Sequence, residues 1–129
     1  MTGAGDAVLE AAVGALRAID GIGRVYDAPP LQAALPYALV AIDSESDWSH
    51  KSGSGRALRL AASIRDKGER PERLRGLASA AEAALAALGG DLPGWQLVTV
   101  RFLRTRTVRA AGGEWTATIE FQVRLLAAG

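Results

Sequence analysis

The last third of the chain alternates apolar and polar residues over two long runs. The alternation extends from Trp95 to Val108 and from Glu114 to Leu126, and Ala110-Ala111-Gly112-Gly113 separates the two runs. Successive side chains of a strand lie on opposite faces, so two alternating runs around a Gly-rich interruption predict a β-hairpin. Any fold of this chain must therefore contain a sheet with a long C-terminal hairpin. One face of the second arm is predicted to carry Trp115, Ala117, Ile119, Phe121, Val123 and Leu125.

Two amphipathic helices are predicted before the hairpin. The first covers residues 6–19, with Asp6 as its N-cap, and the second begins near Pro71 and ends near Leu88. Each has apolar residues at helical spacing. These are Leu9, Ala12, Val13, Leu16 and Ile19 in the first helix, and Leu74, Leu77, Ala78, Ala81, Leu85 and Leu88 in the second.

Three further strands are predicted, over residues 24–27, 37–43 and 56–64. The resulting order is helix, three strands, helix, two strands, which leaves few crossover helices for a parallel sheet. The sequence therefore predicts an α+β fold, with a mixed, mainly antiparallel sheet and two helices packed on one face. Its length of 129 residues is that of one domain, residues 1–129.

The hairpin is long for a domain of this size. Fourteen residues of strand extend over roughly 46 Å, whereas the diameter of a compact domain of this length is roughly 36 Å. Simple alternation places Arg104 and Arg106 on the face of Phe102, Arg101 on the other face, and Arg109 at the turn. One interpretation is that the distal hairpin leaves the domain body and meets another subunit or a partner. The other is a solvated tip whose arginines prevent edge-to-edge aggregation.

A polar loop over residues 47–55 separates two of the predicted strands. Asp47, Ser49 and His50 suggest a hydrolase, but a catalytic triad normally brings together groups from separate elements. One histidine and no cysteine predict neither a metal site nor a cofactor. Trp48 is expected either to fold back onto the domain or to anchor a partner, as aromatic residues do at interface centres.

The bulk composition gives no long-range attraction to a polyanion. The formal net charge is +1, so the hairpin arginines are not expected to recognise a nucleic-acid sequence. No apolar run approaches the ~20 residues of a membrane span. The first residues lack the basic and apolar segments of a secretory signal, so a cytoplasmic location is expected.

Several motifs in this order resemble a known family. They are Leu35-Pro36-Tyr37-Ala38-Leu39-Val40, the loop from Asp47-Trp48 to Gly55-Arg56, Leu92-Pro93-Gly94-Trp95, and Phe102-Leu103-Arg104-Thr105-Arg106-Thr107. Together they resemble the small tail-completion, or tail-terminator, proteins of long-tailed phages and of phage-like gene transfer agents. The similarity in order and spacing covers nearly the whole chain.

The resemblance implies a structural protein with an α+β fold and no catalysis. Such proteins form a ring, expected to be hexameric, on the last ring of the tail tube. They stop tube growth and present the surface that joins the connector proteins of the head, and DNA passes through the bore. The implied location is the bacterial cytoplasm during assembly and then the neck of a phage, prophage or gene transfer agent particle.

The resemblance also implies partners and the positions that contact them. The implied partners are further copies of the chain, the tail tube protein and a head-completion or connector protein. The alternative from the residues alone is a stand-alone, oligomeric binding module whose hairpin arginines contact an acidic protein or nucleic acid. The candidate partner-interface residues are Trp48, His50, Lys51, Arg101, Arg104, Arg106 and Arg109.

Overall fold

Two helices and six strands follow one another along residues 2–128, the part of the chain that the computed structural model describes. All six strands form one sheet, in the order β1-β2-β3-β6-β5-β4. β1 is parallel to β2, and every other pair of neighbours is antiparallel. The predicted α+β class and mixed sheet are confirmed. The elements are α1 (Ala4–Arg17), β1 (Val25–Tyr26), β2 (Tyr37–Asp47), β3 (Gly55–Lys67), α2 (Glu72–Ala86), β4 (Asp91–Leu92), β5 (Trp95–Arg109) and β6 (Glu114–Ala127).

The hydrophobic core lies between the two helices and one face of the sheet. Alternate residues of β6 point into it, and Phe121 at their centre is fully buried. Leu16 of α1 and Leu74 and Leu85 of α2 pack against the same face. The other face of the sheet has neither helix on it, and we call it the open face.

α1 begins two residues earlier than predicted, and Asp6 is not its N-cap. Gly3 occupies the N-cap position, and no described side chain caps the helix, while Asp6 lies in the first turn. A carboxylate in the first turn still interacts favourably with the positive end of the helix dipole. The predicted stripe of α2 is confirmed from Leu74 to Leu85, but the helix ends at Ala86 and leaves Leu88 half-buried.

The strands around the polar loop are longer than the alternation predicted. β2 continues to Asp47 and β3 starts at Gly55, which shortens the loop to residues 48–54. β4 was not predicted. It consists of two residues that fold back onto the start of β5, with Leu92 opposite Trp95.

The C-terminal hairpin does not leave the domain body, contrary to the expectation from its length. β3 pairs with β6 along its whole length, from Gly55 opposite Leu126 to Lys67 opposite Glu114. The expectation treated the body as a sphere, whereas this sheet is elongated along its strands. β6 is consequently an interior strand. Of the two strands of the hairpin, only β5 lies near an edge of the sheet.

Three β-bulges shift the register of the sheet. The extra residues are Asp43 in β2 and Val98 and Leu103 in β5. Such an insertion reverses the face on which the following side chains lie. Arg104 and Arg106 therefore lie on the open face with Arg101, and not on the face of Phe102 as simple alternation predicted.

Candidate interaction surface

Arginines from three neighbouring strands gather on the open face. Residues directly opposite one another share a face of the sheet, and Arg59, Gln122 and Arg101 form one such row across β3, β6 and β5. The next row places Arg104 beside Glu120, and the row after it contains Arg106. The open-face arginines are Arg59, Arg65, Arg101, Arg104, Arg106 and Arg124.

The charge of the chain is distributed unevenly. The six open-face arginines and Glu120 together carry a formal charge of +5, whereas the whole chain carries +1. The remaining residues therefore carry −4. The near-neutral total conceals a basic face and an acidic remainder, and such a separation creates local fields that steer association.

Glu120 is held by its arginine neighbours. Glu120 is only 8% exposed, and its carboxylate accepts a hydrogen bond from Nε of Arg104. That bond lowers the pKa of Glu120 below its usual range, against an opposing effect of burial, and the charges of Arg104, Arg59 and Arg106 lower it further. Glu120 thus stays ionised and fixes the position of Arg104.

Trp48 folds back onto the open face. Its ring lies 4.6 Å from that of His50 in an edge-to-face arrangement, and the guanidinium carbon of Arg124 lies 5.4 Å from its centre. The Nε atom of Arg124 is buried and has no hydrogen-bond partner among the described residues. A cation over an indole ring is a favourable contact. Of the two interpretations of Trp48, the structure favours folding back.

The polar side chains of the loop are used to hold its shape. The Ser49 hydroxyl donates to Oδ1 of Asp47 at 2.7 Å and accepts from the backbone N–H of Gly55 at 3.1 Å. The first of these bonds lowers the pKa of Asp47. The N–H of His50 donates to the carbonyl of Gly53 at 2.8 Å and closes the turn. Ser49 is therefore engaged with a carboxylate and with the backbone.

Two edges of the sheet are open. Among the described residues, the outer side of β5 has a neighbouring strand only at its start, where β4 pairs with Trp95 and Gln96. We call the outer side of residues 98–109 the β5 edge. At the opposite side, within the part of the chain that the structure describes, β1 covers β2 only at Ala38 and Leu39. We call the outer side of residues 40–47 the β2 edge. Apolar side chains are exposed along β5: Val98, Phe102 and Val108.

The structure does not bring all predicted interface residues together. Trp48, His50 and Lys51 lie in the loop at one end of the sheet. Arg109 lies at the other end, with its guanidinium carbon 5.0 Å from the centre of the Trp115 ring. The thirteen paired rows of β3 and β6 that join the two ends span roughly 40 Å. Arg101, Arg104 and Arg106 occupy the middle of the open face.

Sequence reasoning missed the arginines that complete this face. Arg59 and Arg65 on β3 and Arg124 on β6 are far from the hairpin arginines in sequence. Their signal was present in the alternation, because each lies on the polar side of its strand. Only the order β3-β6-β5 shows that the three polar sides are adjacent.

Within residues 2–128 no three His, Asp or Glu side chains cluster as metal ligands would. None of the helices in this part of the chain has the length and apolar character to cross a bilayer.

Comparison with known proteins gives a family and solved structures of similar fold. The family model described as "Tail completion protein gp17" matches residues 4–126. The fold is similar to that of a chain in the structure titled "Virion of native gene transfer agent (GTA) particle", with a TM-score of 0.77 and 24% identity. That match covers 94% of this chain and 96% of the other. At this identity the likeness concerns the fold alone. No curated protein matches the chain.

Proposed function

The chain belongs to the tail completion protein gp17 family, and from this membership we propose that it caps the end of a tail tube as a ring. The ring stops tube growth and forms the surface that joins the head. The single observation that carries the proposal is the family match over residues 4–126. The proposed location is the bacterial cytoplasm during assembly, and afterwards the neck of a phage-like or gene transfer agent particle.

Capping requires binding and no catalysis. A polymer end grows because it presents a surface that the next subunit recognises, and a ring that covers this surface removes it. The exposed β5 edge and the open face are the kind of extended surface that such contacts need. The proposed partners are other copies of the chain, the tail tube protein and a connector protein of the head.

The basic open face also suits the passage of DNA through the bore of the ring. Guanidinium groups contact phosphates whatever the base sequence, and such contacts weaken as salt rises. The +5 charge of this face is therefore consistent with transient contact to DNA without sequence-specific binding.

The proposal is tested by electron microscopy of the purified protein mixed with tail tubes. We expect ring-shaped density at one end of each tube, and tubes that no longer elongate when tube protein is added. Bare tube ends at saturating protein, with elongation unchanged, would overturn it.

A second candidate function rests on the open face alone. In that case the chain is a stand-alone binding module that holds nucleic acid or an acidic protein through Arg101 and Arg106. Retention of DNA that falls steeply with salt, without any binding to tube ends, would favour this candidate. Retention should then fall further in the Arg101→Gln, Arg106→Gln variant.

A further inference from the structure

The β2 edge forms one wall of an open groove. Beyond Ala38 and Leu39, which pair with β1, no strand within residues 2–128 covers the outer side of β2. Alternate N–H and C=O groups of residues 40–47 therefore point outward without a neighbouring strand, and such groups are a template for a strand from another chain. Eight residues of strand extend over roughly 26 Å. A short extended segment therefore has room to pair with this edge.

The floor of the groove is apolar. The other wall is α1, which lies on the helix side of the sheet, and we call the space between the two walls the α1–β2 groove. Leu9 and Val13 of α1 and Ile42 of β2 line it. All three are half-buried and pack against the core. A segment bound in the groove would remove the rest of their apolar surface from water, which is favourable.

Carboxylates surround this floor. Four of them form no ion pair within residues 2–128, and these are Asp6, Glu10, Asp27 and Asp43. A fifth, Glu45, already pairs with Arg56 at 3.6 Å. The basic residue among those that line the groove is Arg17. Four carboxylates against one arginine leave a formal charge of −3, so an occupant of complementary charge must be basic.

A second copy of the chain does not supply such charges. If β5 of another copy continued the sheet from β2, its arginines would lie on the open face, away from the groove. The groove side would receive Val100, Phe102 and Thr105, none of which carries a charge. The connection over residues 28–36, which includes the fully exposed Leu31, carries no charge either. The occupant that fits is therefore a different protein.

Lysine and arginine side chains suit both the floor and the rim of the groove. In a strand added to β2, every second side chain faces the helix side. The aliphatic stem of a lysine or arginine at such a position can cover Leu9 and Ile42, while its charged end reaches a carboxylate at the rim. A segment with basic residues at alternate positions therefore matches the charge, the apolar floor and the free backbone groups together.

We propose that the α1–β2 groove binds an extended segment of a different protein, which pairs with the β2 edge and carries lysine or arginine at alternate positions. The inference goes beyond the proposed ring, because it assigns a binding surface for a partner other than this chain. Main-chain hydrogen bonds to β2 supply affinity in this mode of binding, and the side chains in the groove supply specificity.

A synthetic peptide tests the proposal with the full chain. The probe has seven residues that alternate lysine and threonine, and its binding is measured by fluorescence anisotropy. One control peptide has glutamate in place of lysine. The other keeps the side chains but has methylated backbone nitrogens, so it cannot donate to a sheet edge. We expect the lysine peptide to bind with an affinity that falls as salt rises, and each control to bind at least about ten-fold more weakly.

Two variants of the chain test the position of the site. Asp27→Asn with Asp43→Asn removes two of the unpaired carboxylates and should weaken binding of the lysine peptide about five-fold. Glu69→Gln with Asp91→Asn is the matched control, because it removes the same charge from residues that do not line the groove. These four side chains form no ion pair within residues 2–128. Asp6 is left unchanged because it lies in the first turn of α1.

Binding should also slow amide hydrogen exchange within residues 40–47. Unchanged exchange there would place the peptide elsewhere and overturn the proposal. Equal affinity of the wild type and the Asp27→Asn, Asp43→Asn variant, or equal binding of the glutamate peptide, would overturn it as well. The proposed function is tested separately at tube ends. Rings formed by a chain that does not bind the peptide would remove this inference and leave the function standing, whereas peptide binding by a chain that forms no rings would do the reverse.

Discussion

At the scale of single residues, the environment of Glu120 shows how a carboxylate is used within a basic surface. It is 8% exposed, and Arg104, Arg59 and Arg106 surround it on the open face. Removing one partner of such a pair leaves the other without compensation. The role that follows from these contacts is structural, since Glu120 holds Arg104 in place and offsets repulsion among the arginines.

We predict that Glu120 makes the stability of the fold depend on acid pH. Its pKa is lowered from the ordinary value of 4.5 by the bond from Arg104. The contribution of Glu120 to the free energy of unfolding is therefore fully present at pH values above that ordinary pKa. It is lost as the pH falls through the lower pKa of the folded state. Urea titrations at a series of pH values should give a shallower acid dependence of the unfolding free energy for Glu120→Gln than for the wild type.

Glu114→Gln is the matched control for this measurement. Glu114 lies on the same strand and the same face, opposite Lys67, and it takes part in no ion pair among the described residues. This variant should retain the wild-type dependence on pH. An equal flattening in both variants would contradict the role assigned to Glu120.

A pair of aromatic rings in contact gives a second prediction. Phe121 and Phe102 meet edge-to-face with their centres 5.7 Å apart, but Phe121 is fully buried and Phe102 is 41% exposed. Phe121→Ala should lower the free energy of unfolding by about 4 kcal/mol, because it leaves a cavity in the core. Phe102→Ala should lower it by about 1 kcal/mol, the size of an aromatic pair contact. Equal losses in urea titration would show that Phe102 is also a core residue.

At the scale of elements, the loop over residues 48–54 depends on one close approach of backbone. Gly55 is buried where β3 begins, and its N–H bonds to Ser49. A Cβ atom at this position would overlap the carbonyl oxygen of Trp48 and lie 3.0 Å from that of Leu125. Both obstacles are backbone atoms, so no side chain can move aside.

We predict that Gly55→Ala lowers the free energy of unfolding by about 3 kcal/mol, as overpacking does in a closed site. Gly53→Ala is the matched control in the same loop, because a Cβ atom there meets nothing within 4 Å. Its effect should stay below about 1 kcal/mol. Thermal unfolding followed by circular dichroism distinguishes the two, and equal effects would mean that the loop yields at Gly55.

Local pattern predicted the elements well because each strand and helix has one buried side. The stripe of α2 and the alternation of β6 both correspond to residues that are buried in the fold. The bulges were not predicted, since an alternation count assumes that no residue is inserted. Two adjacent apolar residues, Phe102 and Leu103, were the available signal, because strict alternation would place a polar residue at one of these positions.

At the scale of the whole molecule, the arrangement of charge depends on the order of the strands, and residue periodicity carries no information about that order. Arg59 and Arg101 are separated by α2 in the chain, yet they stand on the same row of the sheet with Gln122 between them. Local sequence pattern therefore could not predict the basic face. The interface roles assigned to Trp48 and the loop remain predictions.

Hydrogen exchange measured by mass spectrometry gives a prediction for the whole molecule. In the isolated chain, the amides of β6 should exchange slowly because strands lie on both sides, and those on the outer side of residues 98–109 should exchange fast. If the proposed ring buries the β5 edge, these outer amides become slow in the assembled ring. Fast exchange at the β5 edge in tube-bound protein would contradict that burial.

The insertion at Leu103 has a consequence for changes in the length of this strand. Leu103 has no partner in β6, so Phe102 and Arg104 occupy consecutive rows of the sheet, opposite Phe121 and Glu120. Deleting Leu103 would therefore remove the bulge and leave the guanidinium groups of Arg104 and Arg106 on the open face. β5 should accordingly tolerate the loss of Leu103 better than the loss of a residue that is paired with β6.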